Sequence, residues 1–184
     1  MLSRHRIAAL AALATLACSL ALVAPAGASA SCAGADARPG QAARAELART
    51  TVCLLNHERS RRGLRRLSLD RRLSSAARAH TGDMVRRHYF AHVSRSGGDV
   101  ADRLNRVGYM RGARRWLVGE NLAWGGGSRS TPRQIMRSWM HSPGHRRNIL
   151  DPRFRELGIG VLAGTPVEAG RVSATYTTTF GARS

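Results

Sequence analysis

The stretch at residues 139–150, WMHSPGHRRNIL, decides between two architectures. His141 and His145 stand four residues apart in it. On one continuous helix that spacing puts both rings on one face, as in the zinc motif H-E-x-x-H. Between them lies Ser142-Pro143-Gly144. A proline inside a helix removes a donor and clashes with the preceding turn. The same residues make a good helix start, with Ser142 as N-cap, Pro143 at the first position and His145 at the third. The segment therefore reads as two helices, one ending near His141 and the next opening at Ser142, and the two imidazoles diverge. The glutamate that would act as base in the zinc motif is absent too. Any metal at His145 needs ligands from elsewhere.

Working outward, Thr131-Pro132-Arg133-Gln134 has the form of a capping box with proline at the first helical position. Downstream, LGIGVLAG (157–164) and RVSATYTTTF (171–180) read as two strands of an antiparallel hairpin. Upstream, WLVGENLAW (116–124) reads as a third strand. Residues 99–107 form a short helix closed by Gly108. Leu69, Leu73, Ala76, Ala77, His80 and Met84 share one face of a longer helix that Ser68 or Asp70 can cap. Residues 41–62 are free of Gly and Pro, carry Leu47, Leu54 and Leu55 at helical spacing, and end at Gly63. Helices first, then strands mixed with helices, imply an α+β fold in which helices cover a small antiparallel sheet. Trp116, Trp124 and Trp139 are assigned to the core, and His57, His88 and His141 to the surface.

At the start of the chain, Arg4, His5 and Arg6 precede an apolar run at 7–22, and Ala28-Ser29-Ala30 has the small-residue form of a cleavage site. Residues 1–30 are expected to be a signal peptide cut near Ala30, so the mature chain is secreted and has no transmembrane segment. The run is short for a span, and Pro25 and Gly27 close it. Cys18 lacks the preceding box that a lipid anchor needs. Residues 31–45 read as a flexible linker, and residues 46–182 as the domain. In an oxidising compartment the remaining cysteines, Cys32 and Cys53, are expected to pair.

The charge is extreme. Without Arg4 and Arg6, 28 basic residues face 11 acidic ones, a net +17, and every basic residue is arginine. The densest cluster, RRGLRRLSLDRR at 61–72, offers Arg61, Arg62, Arg65, Arg66, Arg71 and Arg72 to anionic envelope polymers. It lacks the aromatic interleaving and recognition motifs of a specific nucleic-acid binder.

His92 in FAHVS, Glu120 in GEN and His145 are the residue types of a two-His, one-carboxylate zinc site. Together with LLNHERSRRGLRRLSLDRRLSSAARAHTGDM, GENLAWG and LGIGV, these motifs resemble the CAP superfamily, most closely its secreted bacterial branch, over residues 51–180. That superfamily includes cysteine-rich secretory proteins, antigen 5 allergens and plant pathogenesis-related proteins. The resemblance implies a three-layer α-β-α sandwich with a central cleft holding two histidines and two acids, where some members bind zinc and others bind sterols and other lipids. His92, Glu120 and His145 match three of the four. The fourth place, three residues after Trp139, is Ser142.

Three functions follow as expectations. The first is an extracellular binding module whose cleft holds a divalent metal or a small lipid-like ligand, with His80, Asn121 and Ser142 at its periphery. The second is a metal-dependent hydrolase of wall or peptide substrates, with Glu120 as ligand or base. The third is an arginine-rich adhesin. The missing second acid, and the absence of a G-x-S-x-G elbow at Ser142, favour binding over catalysis.

Overall fold

The structure is a computed structural model that describes residues 32–167 and 172–184; the expected signal peptide, with Cys18 and Ala30, lies outside the described residues. Helices α1 (Arg44–Ser60) and α2 (Arg71–Arg86) flank strand β1 (Ser68–Leu69). Then come α3 (Val100–Arg106), β2 (Trp116–Gly126), α4 (Pro132–His141), α5 (Pro143–Leu150), β3 (Glu156–Ala163) and β4 (Ser173–Arg183). The sheet order is β1-β3-β4-β2. β4 runs antiparallel to both β2 and β3, and the two residues of β1 add a short parallel pairing to β3. The sheet is therefore mixed at one rim.

The helix boundaries follow local chemistry. Asp70 caps α2 by accepting from the Leu73 N–H, and Asp99 and Asp102 form a reciprocal capping box on α3. Thr131 accepts from the Gln134 N–H at the start of α4. The helix does break after His141, and Ser142 occupies the N-cap of α5, although its side chain makes no capping bond.

Two helical layers sandwich the sheet. Leu157, Ile159 and Val161 of β3, with Tyr176 and Phe180 of β4, join Leu47, Leu55, Trp139 and Ile149 in the larger core. The alternate residues of β3, Gly158 and Gly160, meet α2 on the opposite face. A Cβ on Gly158 would lie 2.1 Å from the Leu73 carbonyl carbon, and one on Gly160 would lie 2.6 Å from that of Ala77. Backbone thus packs on backbone, which only glycine allows. Hydroxyls fasten the contact: Thr179 donates to Leu73 O at 3.0 Å, and Thr81 and Thr177 oxygens lie 2.8 Å apart.

Arg59 is fully buried. Its Nε donates to Arg65 O, and its NH1 donates to Ile149 O and Asp151 O at 2.7 and 2.9 Å. A cation thereby closes the C-terminal carbonyls of α5. Burial holds its guanidinium below the ordinary value.

Two expectations are corrected. Residues 32–45, within the segment expected to be a linker, are not loose. Cys32 and Cys53 form a disulfide, Ala35 is buried with its carbonyl accepting from Arg133 N at 2.9 Å, and α1 already starts at Arg44. Trp139 is buried, but Trp116 and Trp124 are 50% and 38% exposed. They sit near the two ends of β2, Trp124 beside Arg129 and the α4 residues Gln134, Arg137 and His141.

Candidate functional site

Adjacent residues of β2 supply the two halves of the site. Glu120 pairs in register with Thr179, so it faces the α2–α3 layer. Asn121 pairs with Thr178 and faces α5. Because β2 is the last strand of the sheet, groups from both layers meet around it.

The Glu120 side chain is 2% exposed and fully engaged. Arg103 NH2 bridges both carboxylate oxygens at 3.0 and 2.8 Å. His92 donates from Nδ1 to Oε1 at 2.8 Å. His80 Nε2 stands 4.0 Å from the same oxygen and donates instead to Ala91 O at 3.0 Å. That bond fixes the loop carrying His92 beneath the site. Arg103 is in turn held by NH1, which donates to Gly98 O and Ser94 Oγ. No feature of the sequence singled out Arg103: it is one arginine among many, on a seven-residue helix.

On the other side, Asn121 Nδ2 donates to His145 O at 3.0 Å, and Asn148 Nδ2 donates to Glu120 O and Asn121 Oδ1. Trp139 Nε1 donates to Leu122 O at 3.1 Å. His145 Nδ1 is buried with no hydrogen-bond partner among the described residues. Burial, and then the proximity of His92, hold the His145 imidazole below its ordinary value. Burial does the same for His80, against the opposing pull of Glu120. Both rings are therefore disposed to be neutral at pH 7.

His92, Glu120 and His145 do gather around β2, with His80 buried below and Asn121 alongside, whereas Ser142 contributes position only. His141 is exposed, its Nδ1 donating to Arg137 O, while His88 is exposed and His57 partly buried. Whether the gathered residues suit a metal ion turns on Glu120. As a direct ligand it would have to release Arg103. Among the described residues no three His, Cys, Asp or Glu side chains converge to hold an ion. The donor set that remains is the imidazoles of His92 and His145. With Nδ1 committed to Glu120, His92 has only Nε2 to offer, and His145 keeps an unshared nitrogen. Glu120 stands behind His92 as an orienting carboxylate.

Of the arginine cluster, Arg61, Arg65, Arg66, Arg71 and Arg72 are exposed and Arg62 is half-buried. Arg61 and Arg62 pair with Glu58, and the other four form no ion pair among the described residues. No described helix is long and apolar enough to cross a membrane.

The model of the Cysteine-rich secretory protein family, CAP, matches residues 52–176. The Bacillus subtilis (strain 168) protein YkwD is 38% identical over 121 residues, which is 66% of this chain and 42% of that protein. The membrane protein YlbC of the same organism is 32% identical over 110 residues, 59% of this chain and 29% of that one. The chain thus spans less than half the length of either relative. An extracellular protein containing an SCP domain from Bacillus anthracis str. Ames has a solved structure similar to this one, with a TM-score of 0.60 at 31% identity, covering 74% of this chain and 40% of that one. An outer surface protein of Borrelia burgdorferi matches with a TM-score of 0.64 at 18% identity, covering 78% of this chain and 97% of that one, a likeness of fold alone. With most of its length inside the family model and the α-β-α sandwich in place, the chain belongs to the cysteine-rich secretory protein, or CAP, family.

Proposed function

We propose that this chain is an exported binding module whose cleft presents His92 and His145 to a divalent metal ion such as zinc, with Glu120 and Arg103 as the supporting pair. The observation that carries this reading is the full engagement of Glu120: both oxygens accept from Arg103, and one also from His92. A general base needs a free lone pair aimed at its proton, and three of the about four acceptor positions of this carboxylate are taken by Arg103 and His92. Ser142 stands where the resemblance places the second acid. Binding is therefore favoured over hydrolysis. Export is supported by the Cys32–Cys53 disulfide, which suits an oxidising compartment, and by the relative described as extracellular.

Two imidazoles are fewer than the three or four protein ligands of an ordinary zinc site, so the ion should bind weakly and exchange readily. Zinc titration by calorimetry at pH 7.5 tests this. Binding should vanish in His92→Ala/His145→Ala and weaken about 10-fold or more in Glu120→Gln, which loses the orienting charge. Unchanged affinity in the double alanine variant would overturn the metal assignment.

A second reading rests on Arg65, Arg66, Arg71 and Arg72, exposed and without ion pairs among the described residues. They suit contact with anionic envelope polymers. Binding to a polyphosphate matrix should weaken steeply as salt rises. Retention independent of salt would refute it.

A further inference from the structure

The sheet is left unfinished beyond β3. Strand β1 pairs only with Glu156 and Leu157. Arg155 O and Leu157 O accept from the N–H groups of Ser68 and Asp70, each at 3.0 Å, so Leu157 turns its carbonyl away from β4. Main-chain groups alternate in direction along a strand, and Ile159 and Val161 therefore turn the same way as Leu157. The segment that could have met them leaves at Asp70, whose carbonyl accepts from Ser74 N to open α2. The outward N–H and C=O groups of Ile159 and Val161 thus have no protein partner among the described residues. A strand edge in this state is a template for one more strand.

Ile159 and Val161 line a groove of about 410 Å³. Helix α1 supplies one bank with Ala45 and Ala48, and α2 the other with Ser74. These small side chains let a main chain approach the edge. Leu69, 55% exposed, stands where β1 stops and offers an apolar contact to whatever continues its line. The rim is charged with one sign. Arg44 and Arg49 rise from α1 and Arg78 from α2, all three exposed, and no carboxylate lines the groove. None of the three forms an ion pair among the described residues. A second copy of this chain would bring the same positive excess, whereas an acidic segment would be drawn in.

We infer that the open edge of β3 is a docking site for an acidic peptide segment of another protein, bound in extended form as an additional strand. Main-chain bonds to Ile159 and Val161 supply affinity, and carboxylates facing Arg44, Arg49 and Arg78 select the partner. Successive residues of a strand point to opposite faces, so two adjacent acids reach the arginines of both banks. The groove lies at the other end of the sheet from β2 and does not depend on the metal assignment.

Fluorescence anisotropy of the oxidised chain with labelled acetyl-Thr-Val-Asp-Glu-Val-Thr-amide, at about 0.15 M salt, tests it. Saturable binding is expected, and the counterpart with Lys-Lys in place of Asp-Glu should not bind. Two N-methylated isomers, each blocking one alternate set of N–H groups, separate strand pairing from charge. The isomer blocked on the set facing β3 should bind about 10-fold more weakly, and the other should bind as the parent does. Isomers of equal affinity would overturn the proposal. Amide exchange at Ile159 and Val161 should slow when the parent peptide is bound, and unchanged exchange there would also overturn it. Arg44→Gln/Arg49→Gln/Arg78→Gln should lower affinity about 10-fold, while Arg114→Gln/Arg115→Gln, exposed beside β2, should not. Equal losses from the two sets would reduce the binding to net charge and overturn the assignment. Palmitate binding in place of the peptide would make the groove an amphiphile site. Self-association in sedimentation velocity that Ala45→Glu abolishes, with no peptide bound, would assign it to a second copy. Either result overturns the peptide proposal.

Discussion

Replacing Arg103 by Met strands the Glu120 carboxylate. The two side chains are 5% and 2% exposed, so water cannot take over from the missing cation. Unit charges about 4 Å apart attract by about 4 kcal/mol at the effective dielectric near 20 that describes such sites. Desolvation of the pair offsets much of that in the intact protein, but removing one partner costs about 3–5 kcal/mol, because the other charge stays buried alone. Arg103→Met also deletes the NH1 bonds to Gly98 O and Ser94 Oγ that tie the 94–98 turn to α3. We therefore expect a loss of about 4 kcal/mol. Glu120→Gln keeps the volume and one oxygen acceptor, and should cost about 2–3 kcal/mol. The double variant removes both charges and should fall well short of the sum, leaving a coupling of about 2–3 kcal/mol. Urea unfolding followed by circular dichroism measures all three, with an unchanged m-value as the check that only stability moved. Effects that add to within about 0.5 kcal/mol would refute the view that the two residues act as one buried unit.

Gly160→Ala puts a Cβ 2.6 Å from Ala77 backbone and should cost about 2–3 kcal/mol, whereas Gly126→Ala, whose nearest neighbour is Val172 O at 4.0 Å, should change stability by less than about 0.5 kcal/mol; similar values for both would refute the backbone contact of β3 with α2. Breaking the Cys32–Cys53 bridge, which closes a separation of 21 residues, should lower stability by about 3 kcal/mol, read as a drop in urea midpoint on adding reductant or in the Cys32→Ser/Cys53→Ser variant. Arg59→Met should cost about 3 kcal/mol by freeing the carbonyls that end α5, and a neutral outcome would remove Arg59 from the set of structural residues. His80 and His145 are both held below the ordinary histidine value, so the unfolded chain takes up protons first as pH falls. Stability should be full above about pH 6.5 and decline below it, by at most about 1.4 kcal/mol per pH unit for each ring and by less for the partly exposed His145. His80→Gln should flatten that slope between about pH 6.5 and 5.5, and an unaltered slope would exclude His80 as its source.

The parts of the fold that depend on near neighbours were readable in the chain. Ser142-Pro143 broke the helix because a proline ring acts on its own preceding turn. Asp70, one of two caps the sequence offered, closes the start of α2 because a cap reaches only to the third residue. What eluded the sequence depends on distant partners. The pairing of Arg103 with Glu120 joins a short helix to a strand 17 residues later, and nothing local marks that arginine among so many. The parallel pairing of β1 involves two residues, too few for a period. Trp116 and Trp124 lie outside the core because they sit at the ends of β2 and not at its centre, a matter of position and not of residue type. His92, Glu120 and His145 came from a family pattern, and the pairing of Glu120 rests on Arg103, a partner the pattern does not contain.

The side chains that close over β2 bear on how molecules of this protein meet one another. A terminal strand normally offers its backbone to any passing extended chain, and this is how many sheets grow into fibres. Here Asn148 and Trp139 have already claimed the carbonyls of Glu120 and Leu122. A would-be extra strand must first dislodge a fully buried tryptophan and an asparagine carried by α5. Asn148 and Trp139 thus act as a guard against self-assembly, and a substitution at Asn148 would loosen it.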